Sequence, residues 1–185
     1  MNITEQYNIY SELNNLYNIK CMGIYIIKIN NIYYIGETLD YNNRLQTHIN
    51  DLLNNRHHNK KLQKEFNLDK NINNVFCIID KKYCMINNGE NKLISNIVLL
   101  YYEKYIIKNC NYRIANIEHS YDKIYNKASN ALKELMDFIK YIIDINIDLY
   151  NITDVFKCVL ESVNDIFFID NNLEKEFNKL RQMKP

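Results

Sequence analysis

The stretch Gly23-Ile24-Tyr25-Ile26-Ile27-Lys28-Ile29-Asn30-Asn31-Ile32-Tyr33-Tyr34-Ile35-Gly36 holds two of the only three glycines among 185 residues. Two short runs rich in β-branched and aromatic residues, 22–29 and 32–35, flank Asn30-Asn31, a pair suited to a two-residue hairpin turn. With that turn, Ile29 faces Ile32, Ile27 faces Tyr34 and Tyr25 faces Gly36. Strand alternation then puts Tyr25, Ile27, Tyr34 and Gly36 on one face, and Ile24, Ile26 and Ile35 on the other. The second face reads as core. The first sets two phenols beside a residue with no side chain, leaving open space for another backbone or a ligand, and Gly23 serves similarly at the strand start. Taken alone, these residues read as an ordinary hairpin that carries tyrosines.

Downstream, Asp40 is placed to cap a helix over residues 41–53, whose Leu45, Ile49 and Leu52 form one apolar stripe. Arg44 and His48, four residues apart, share an adjoining face. They read either as a polar corner at the edge of a buried stripe or as a solvated face with one snorkelling arginine. A shorter helix is expected over 60–66, a third strand over 75–80 (VFCIID) and a long helix over 91–108. In that long helix Glu103 lies among Leu99, Leu100, Ile106 and Ile107. A carboxylate in such a band is costly unless a cation, a metal or a hydrogen-bond donor meets it, and a structural ion pair to an arginine is the competing explanation. Glu37 either reaches Arg44 or is an ordinary exposed acid at a strand end.

Residues 4–17 carry Tyr10, Leu13, Leu16 and Tyr17 at helical spacing behind a Thr4 cap. After Asn116 the pattern is helical only. A helix over 128–150 aligns Leu132, Leu135, Met136, Ile139, Ile142 and Ile143, and further helices are expected over 154–163, capped by Thr153, and over 173–181. The chain thus divides into an N-terminal helix (1–20), an α/β domain (21–117) and a helical C-terminal region (118–185), whose apolar stripe is expected to pack on the domain or to form a homodimer.

With 47% hydrophobic residues the chain is too apolar for disorder. No run of 18 uncharged apolar residues suggests a membrane span, and MNITEQYNIYSELNN lacks the basic start and apolar centre of a secretory signal. Cys21, Cys77, Cys84, Cys110 and Cys158 form no CxxC pair, so reduced thiols in an intracellular compartment, cytoplasm or nucleus, are expected rather than a zinc site or disulfide frame. The abundant Asn, Ile, Lys and Tyr are those that AT-rich codons favour. The net charge of +1 hides an asymmetry: 14 Lys and Arg against 10 Asp and Glu through Asn116, then 9 against 12. A polyanion would meet the first part.

Together these residues resemble the signature of the GIY-YIG nuclease superfamily. Gly23-Ile24-Tyr25 and Tyr34-Ile35-Gly36 match its two tripeptides, and Arg44 stands at the spacing of its helix arginine, with His48 four later. HHNKKLQKEFN is similar to its H-x-N-x-x-L-Q segment and aligns His57 with the family histidine, and Glu103 takes the place of its metal-binding glutamate. The likeness covers roughly residues 22–117. It implies a small α+β fold, a three-stranded antiparallel sheet flanked by helices, and hydrolysis of a DNA phosphodiester with one Mg²⁺ or Mn²⁺. The setting would be homing-type, restriction, viral or repair-associated. The alternative is an idle GIY-YIG domain kept for nucleic-acid or protein binding.

In the roles this implies, Glu103 holds the cation, Arg44 meets the phosphate and Tyr25 takes the proton of the attacking water. Tyr34 orients Tyr25 or a water, and His48 contacts phosphate or the leaving side. Arg44, His57 and the metal supply the positive field that a phenolate needs. Arg56, Lys60, Lys61 and Lys64 are expected phosphate contacts outside the site. Where the family places an asparagine after a tyrosine, the chain reads Tyr112-Arg113-Ile114-Ala115-Asn116. Either Asn116 takes that role after a local shift, or Arg113 faces the substrate.

Overall fold

The computed structural model describes residues 22–70, 72, 74–78, 92–116, 120–146, 152–166 and 171–182. The helix expected within residues 1–20, with its Thr4 cap, lies outside these. Three strands, β1 (Gly23–Ile29), β2 (Ile32–Thr38) and β3 (Asn74–Ile78), form an antiparallel sheet in the order β2-β1-β3. Seven helices accompany it among the described residues: α1 (Tyr41–Leu53), α2 (Lys60–Asp69), α3 (Lys92–Asn109), α4 (Ser120–Lys127), α5 (Asn130–Asn146), α6 (Ile152–Ile166) and α7 (Asn171–Gln182). The class is α+β, and mostly helical.

The hairpin register is the one the Asn30-Asn31 turn dictates. Tyr25 pairs with Gly36, Ile27 with Tyr34 and Ile29 with Ile32, and Asn30 turns the chain with a left-handed φ of 51°. Gly23, at φ 155°, holds a conformation that side chains disfavour. Asp40 caps α1, its carboxylate accepting from Asn43 N at 3.2 Å, and Asn59 caps α2 by accepting from Leu62 N at 2.9 Å. Left-handed Lys70, φ 50°, ends α2. Thr153 falls inside α6, which begins one residue earlier, so it is not the cap. The segment read as a bare boundary around 117–127 contains α4, too short for its stripe to stand out among polar neighbours.

Both faces of the hairpin are covered. Tyr25, Ile27, Ile29, Ile32 and Tyr34 form one apolar cluster with Tyr41 and Leu52 of α1, Leu62 and Phe66 of α2, and Ala115. Ile24 and Ile35 join a larger cluster containing α3 and the C-terminal helices. The reason lies in α3: from Leu93 to Glu103 every residue is buried. A helix apolar all round needs cover on every side, which the sheet supplies on one side and α4, α5 and α6 on the others. The α5 stripe of Leu132, Leu135, Met136, Ile139, Ile142 and Ile143 is therefore used up inside the chain. Each such side chain stabilises the fold by roughly 1.5–3 kcal/mol. No helix among the described residues is long and apolar enough to cross a membrane.

Candidate active site

Gly36 answers to Tyr25. A Cβ at Gly36 would stand 2.9 Å from Tyr25 Cε1 and closer still to Cζ and the hydroxyl oxygen. The space expected for a ligand is thus filled by the tyrosine itself, whose ring crosses the bare backbone to reach α1. There the hydroxyl meets two groups, His48 Nε2 at 2.6 Å and Arg44 Nε, which donates at 3.1 Å. The four-residue spacing of Arg44 and His48 makes this double contact possible.

Behind His48 the polar chain continues. Its Nδ1 lies 2.7 Å from His57 Nε2, and the backbone N–H of Asn59 donates to His57 Nδ1 at 3.1 Å. That last bond assigns the polarity of the whole chain. A neutral His57 that accepts at Nδ1 carries its proton on Nε2 and donates to His48 Nδ1. His48 in turn carries its proton on Nε2 and donates to Tyr25. The reverse tautomer would set the N–H of Asn59 against an N–H of His57, leaving only a 3.4 Å contact to the Asn59 carbonyl.

Electrostatics agree with neutral rings. Burial, then the Arg44 charge, lowers His48 from 6.5 to about 2. Burial, then His58, lowers His57 to about 4. His57 is consequently no source of positive field, contrary to the sequence expectation. Nor does His48 present itself to phosphate, since both ring nitrogens are engaged and the residue is 1% exposed. Burial raises the Tyr25 hydroxyl well above its usual 10, Tyr34 adding to this and Arg44 opposing it. Burial likewise raises Tyr34, with Arg44 opposing. The exposed His58 lies 3.3 Å from the Tyr34 hydroxyl and stacks on His57 at 4.4 Å between ring centres. Sequence reasoning chose His57 of the doublet and missed this contact; the doublet was the available signal.

Glu103 lies on α3, directly after Tyr101 and Tyr102 of the larger cluster, and near enough to the hairpin for its charge to act on Tyr25, Tyr34 and Glu37. It is 7% exposed, and among the described residues no hydrogen bond or ion pair meets its carboxylate. Burial, then the Glu37 charge, pushes it up to about 8, with Arg181 and Arg44 pulling the other way. Its charge raises Tyr25 and Tyr34 in turn. A buried, unmatched carboxylate is a fitting ligand for a hard divalent cation that keeps most of its waters. No group of three His, Cys, Asp or Glu suited to a metal converges among the described residues.

Glu37 corrects the reading of an exposed acid. Its side chain is 8% exposed and ion-paired to Arg181 of α7, which also donates to Asn96 of α3. Its Oε2 is buried with no hydrogen-bond partner among the described residues. Burial raises its pKa, with Arg181 and then Arg44 opposing. Nothing in the sequence pairs positions 144 residues apart, so Arg181 was missed.

The remaining residues separate clearly. Asn116 accepts from Ile35 N at 2.9 Å and donates to Ile35 O at 2.7 Å, gripping the strand between the tyrosine pair and Glu37. Tyr33 exchanges backbone hydrogen bonds with Arg113 O and Ala115 N, which delivers Asn116 to that position. Arg113 points away, its side chain 65% exposed and 3.8 Å from Glu65. Lys61 donates to Ile114 O at 2.5 Å, Arg56 pairs with Asp51 at 2.8 Å, and Lys60 and Lys64 are exposed on α2. Comparison with protein-family models, curated proteins and solved structures finds no match in any of the three.

Proposed function

We propose that the chain is a metal-dependent DNA endonuclease of the GIY-YIG type, the finer fold assignment to that superfamily being part of the same reading. One observation carries it: the Tyr25 hydroxyl lies between Arg44 Nε and His48 Nε2, the surroundings a phenol needs to become a base. In the proposed step Tyr25 first loses its hydroxyl proton to solvent; the oxygen of water then forms the new bond to phosphorus as the phenolate takes the water's proton, the bond to the leaving oxygen breaks, and that oxygen takes a proton from solvent. Arg44 and His48 both donate to the oxygen that must carry the negative charge.

Magnitudes show what else is required. A hydrogen bond to a charged group contributes about 1.5–3 kcal/mol, or roughly one to two pKa units. Burial holds Tyr25 well above 10, so Arg44 alone does not bring the phenolate to neutral pH. When bound at Glu103, Mg²⁺ or Mn²⁺ would supply the remaining positive field and polarise the phosphoryl oxygens. Arg44 lines both neighbouring cavities and is the residue assigned to a non-bridging oxygen. Tyr34, its ring centre 6.2 Å from that of Tyr25, orients Tyr25 or the water.

The test is cleavage of supercoiled plasmid with Mg²⁺ by the parent and by Glu103→Ala. Nicking by the parent alone is expected. Equal nicking by both removes Glu103 from the mechanism. Nicking by neither favours an idle GIY-YIG domain kept for nucleic-acid or protein binding, a reading that the 1% exposure of Tyr25 supports.

A further inference from the structure

Two cavities flank Arg44 and Arg181. One, of about 340 Å³, is lined by Arg44, Lys92 and Arg181 together with Asn43, Thr47 and Asn96. The other, of about 310 Å³, shares Thr38, Arg44 and Arg181 with the first and has Lys123 on its wall. They describe one trough running past two guanidinium groups. Its acids are already engaged: Asp40 accepts the N–H that caps α1, and Glu37 is paired to Arg181. No carboxylate stands within ion-pair distance of Arg44 or Lys92 among the described residues, and Lys92 is exposed.

Arg44 and Lys92 put two positive charges, unpaired among the described residues, on one hollow beside the Arg181–Glu37 pair, and an anion relieves their repulsion. The neutral lining points to the kind of anion. Thr47 already gives its hydroxyl proton to Asn43 O and Asn96 one amide hydrogen to Lys92 O, which leaves the Asn43 amide and the second Asn96 N–H as donors of the sort that position a phosphate. The volume lies near the low end of the roughly 300–1,000 Å³ of small-molecule sites, enough for a sugar-phosphate unit rather than a bare ion. Arg181 keeps further N–H donors beyond those given to Glu37 and Asn96, since a guanidinium has five.

We propose that this trough binds a backbone phosphate of the DNA strand beside the scissile one, with α7 supplying Arg181 and α3 supplying Lys92 next to Arg44. The proposal rests on the nuclease reading for its choice of ligand. It also gives the helical C-terminal region a direct part in substrate binding, where the sequence suggested only packing or self-association.

The experiment measures binding of a fluorescein-labelled DNA duplex to the full chain in EDTA, from 50 to 200 mM NaCl. Lys92→Gln is one variant. The double substitution Arg181→Gln/Glu37→Gln is another, removing both halves of the ion pair so that no uncompensated carboxylate remains. Each loses one phosphate contact, so the slope of log affinity against log salt should fall by about 0.9, making the loss of affinity over that range roughly 3.5-fold smaller than the parent's. Lys157→Gln, an exposed lysine on α6, should keep the parent slope. Parent slopes in both trough variants, or no binding by the parent, overturn the proposal. Plasmid cleavage with unchanged slopes would leave the nuclease reading intact and remove the trough; lowered slopes without Mg²⁺-dependent cleavage would do the reverse.

Discussion

The ring of Tyr25 occupies the space where Gly36 would carry a side chain, so the glycine of YIG and the tyrosine of GIY are one packing unit. Gly36→Ala must push the ring off its course toward α1. Overpacking of this kind costs about 1–3 kcal/mol, and the displaced hydroxyl loses Arg44 and His48. The variant is expected to melt lower and to lose cleavage more than 100-fold. A variant that melts lower but cleaves at the parent rate would separate Tyr25 from the chemistry.

Arg44→Lys removes the Nε donor while keeping a positive charge. A lysine ammonium is a point charge and cannot reproduce the planar fork that holds Tyr25 while meeting a phosphate. The expected outcome is a cleavage rate reduced at least 100-fold, with duplex affinity changed less than tenfold. Equal losses in both would make Arg44 a binding residue only.

The metal-free protein should be most stable near pH 6.5. The folded-state pKa of Glu103 is raised, to about 8 from 4.5, so its contribution is complete below about 4.5 and is lost as pH rises through 8. Those of His48 and His57 are lowered, to about 2 and about 4 from 6.5, so their contributions are present above 6.5 and are lost as pH falls. Just below 6.5 three lowered histidines, His48, His57 and His58, outweigh the two raised glutamates, Glu103 and Glu37, at about 1.4 kcal/mol per pH unit each. Urea midpoints in EDTA at half-unit steps check this, and a monotonic profile would contradict it.

Adding Mg²⁺ should raise the melting temperature more at pH 8.5 than at 6.5, because binding at Glu103 must expel a proton below about 8. Apparent affinity should weaken about tenfold for each pH unit that the pH falls below about 8. Glu103→Gln should abolish the shift and be the more stable protein without metal at pH 8.5. A Mg²⁺ shift that survives in the variant would place the ion elsewhere.

Nitrogen-15 NMR should find His48 neutral at pH 7, with Nε2 protonated and Nδ1 bare, as the Asn59 N–H requires. The opposite tautomer would reverse the polarity of the chain from Asn59 to Tyr25.

Much of this was legible in local spacing. The Asn30-Asn31 turn fixed the pairing of Tyr25 with Gly36, and four-residue spacing set Arg44 and His48 side by side, because both relations follow from strand and helix periods. The direction of the Tyr25 ring was not legible: alternation assigns a face, not the reach of a side chain across it. The His48–His57 contact depends on how α1 turns into α2, and the Glu37–Arg181 pair on how four C-terminal helices stack. Such long-range contacts leave no periodic trace in one sequence. The same limit hid the neutrality of His57, which comes from burial.

Arg181 emerges 144 residues after the glutamate it neutralises. A partly synthesised chain that has only its hairpin and α1 leaves Glu37 in water, because Lys123 and Ile124 of α4 and Leu180 and Arg181 of α7, which stand around it, come later. Phe177, wholly buried on α7 one turn before Arg181, anchors the late arrival, and Phe177→Ala should cost roughly 3–5 kcal/mol. The order of synthesis therefore ties the burial of Glu37 to the arrival of its own counter-charge, so that the carboxylate and the guanidinium leave water together.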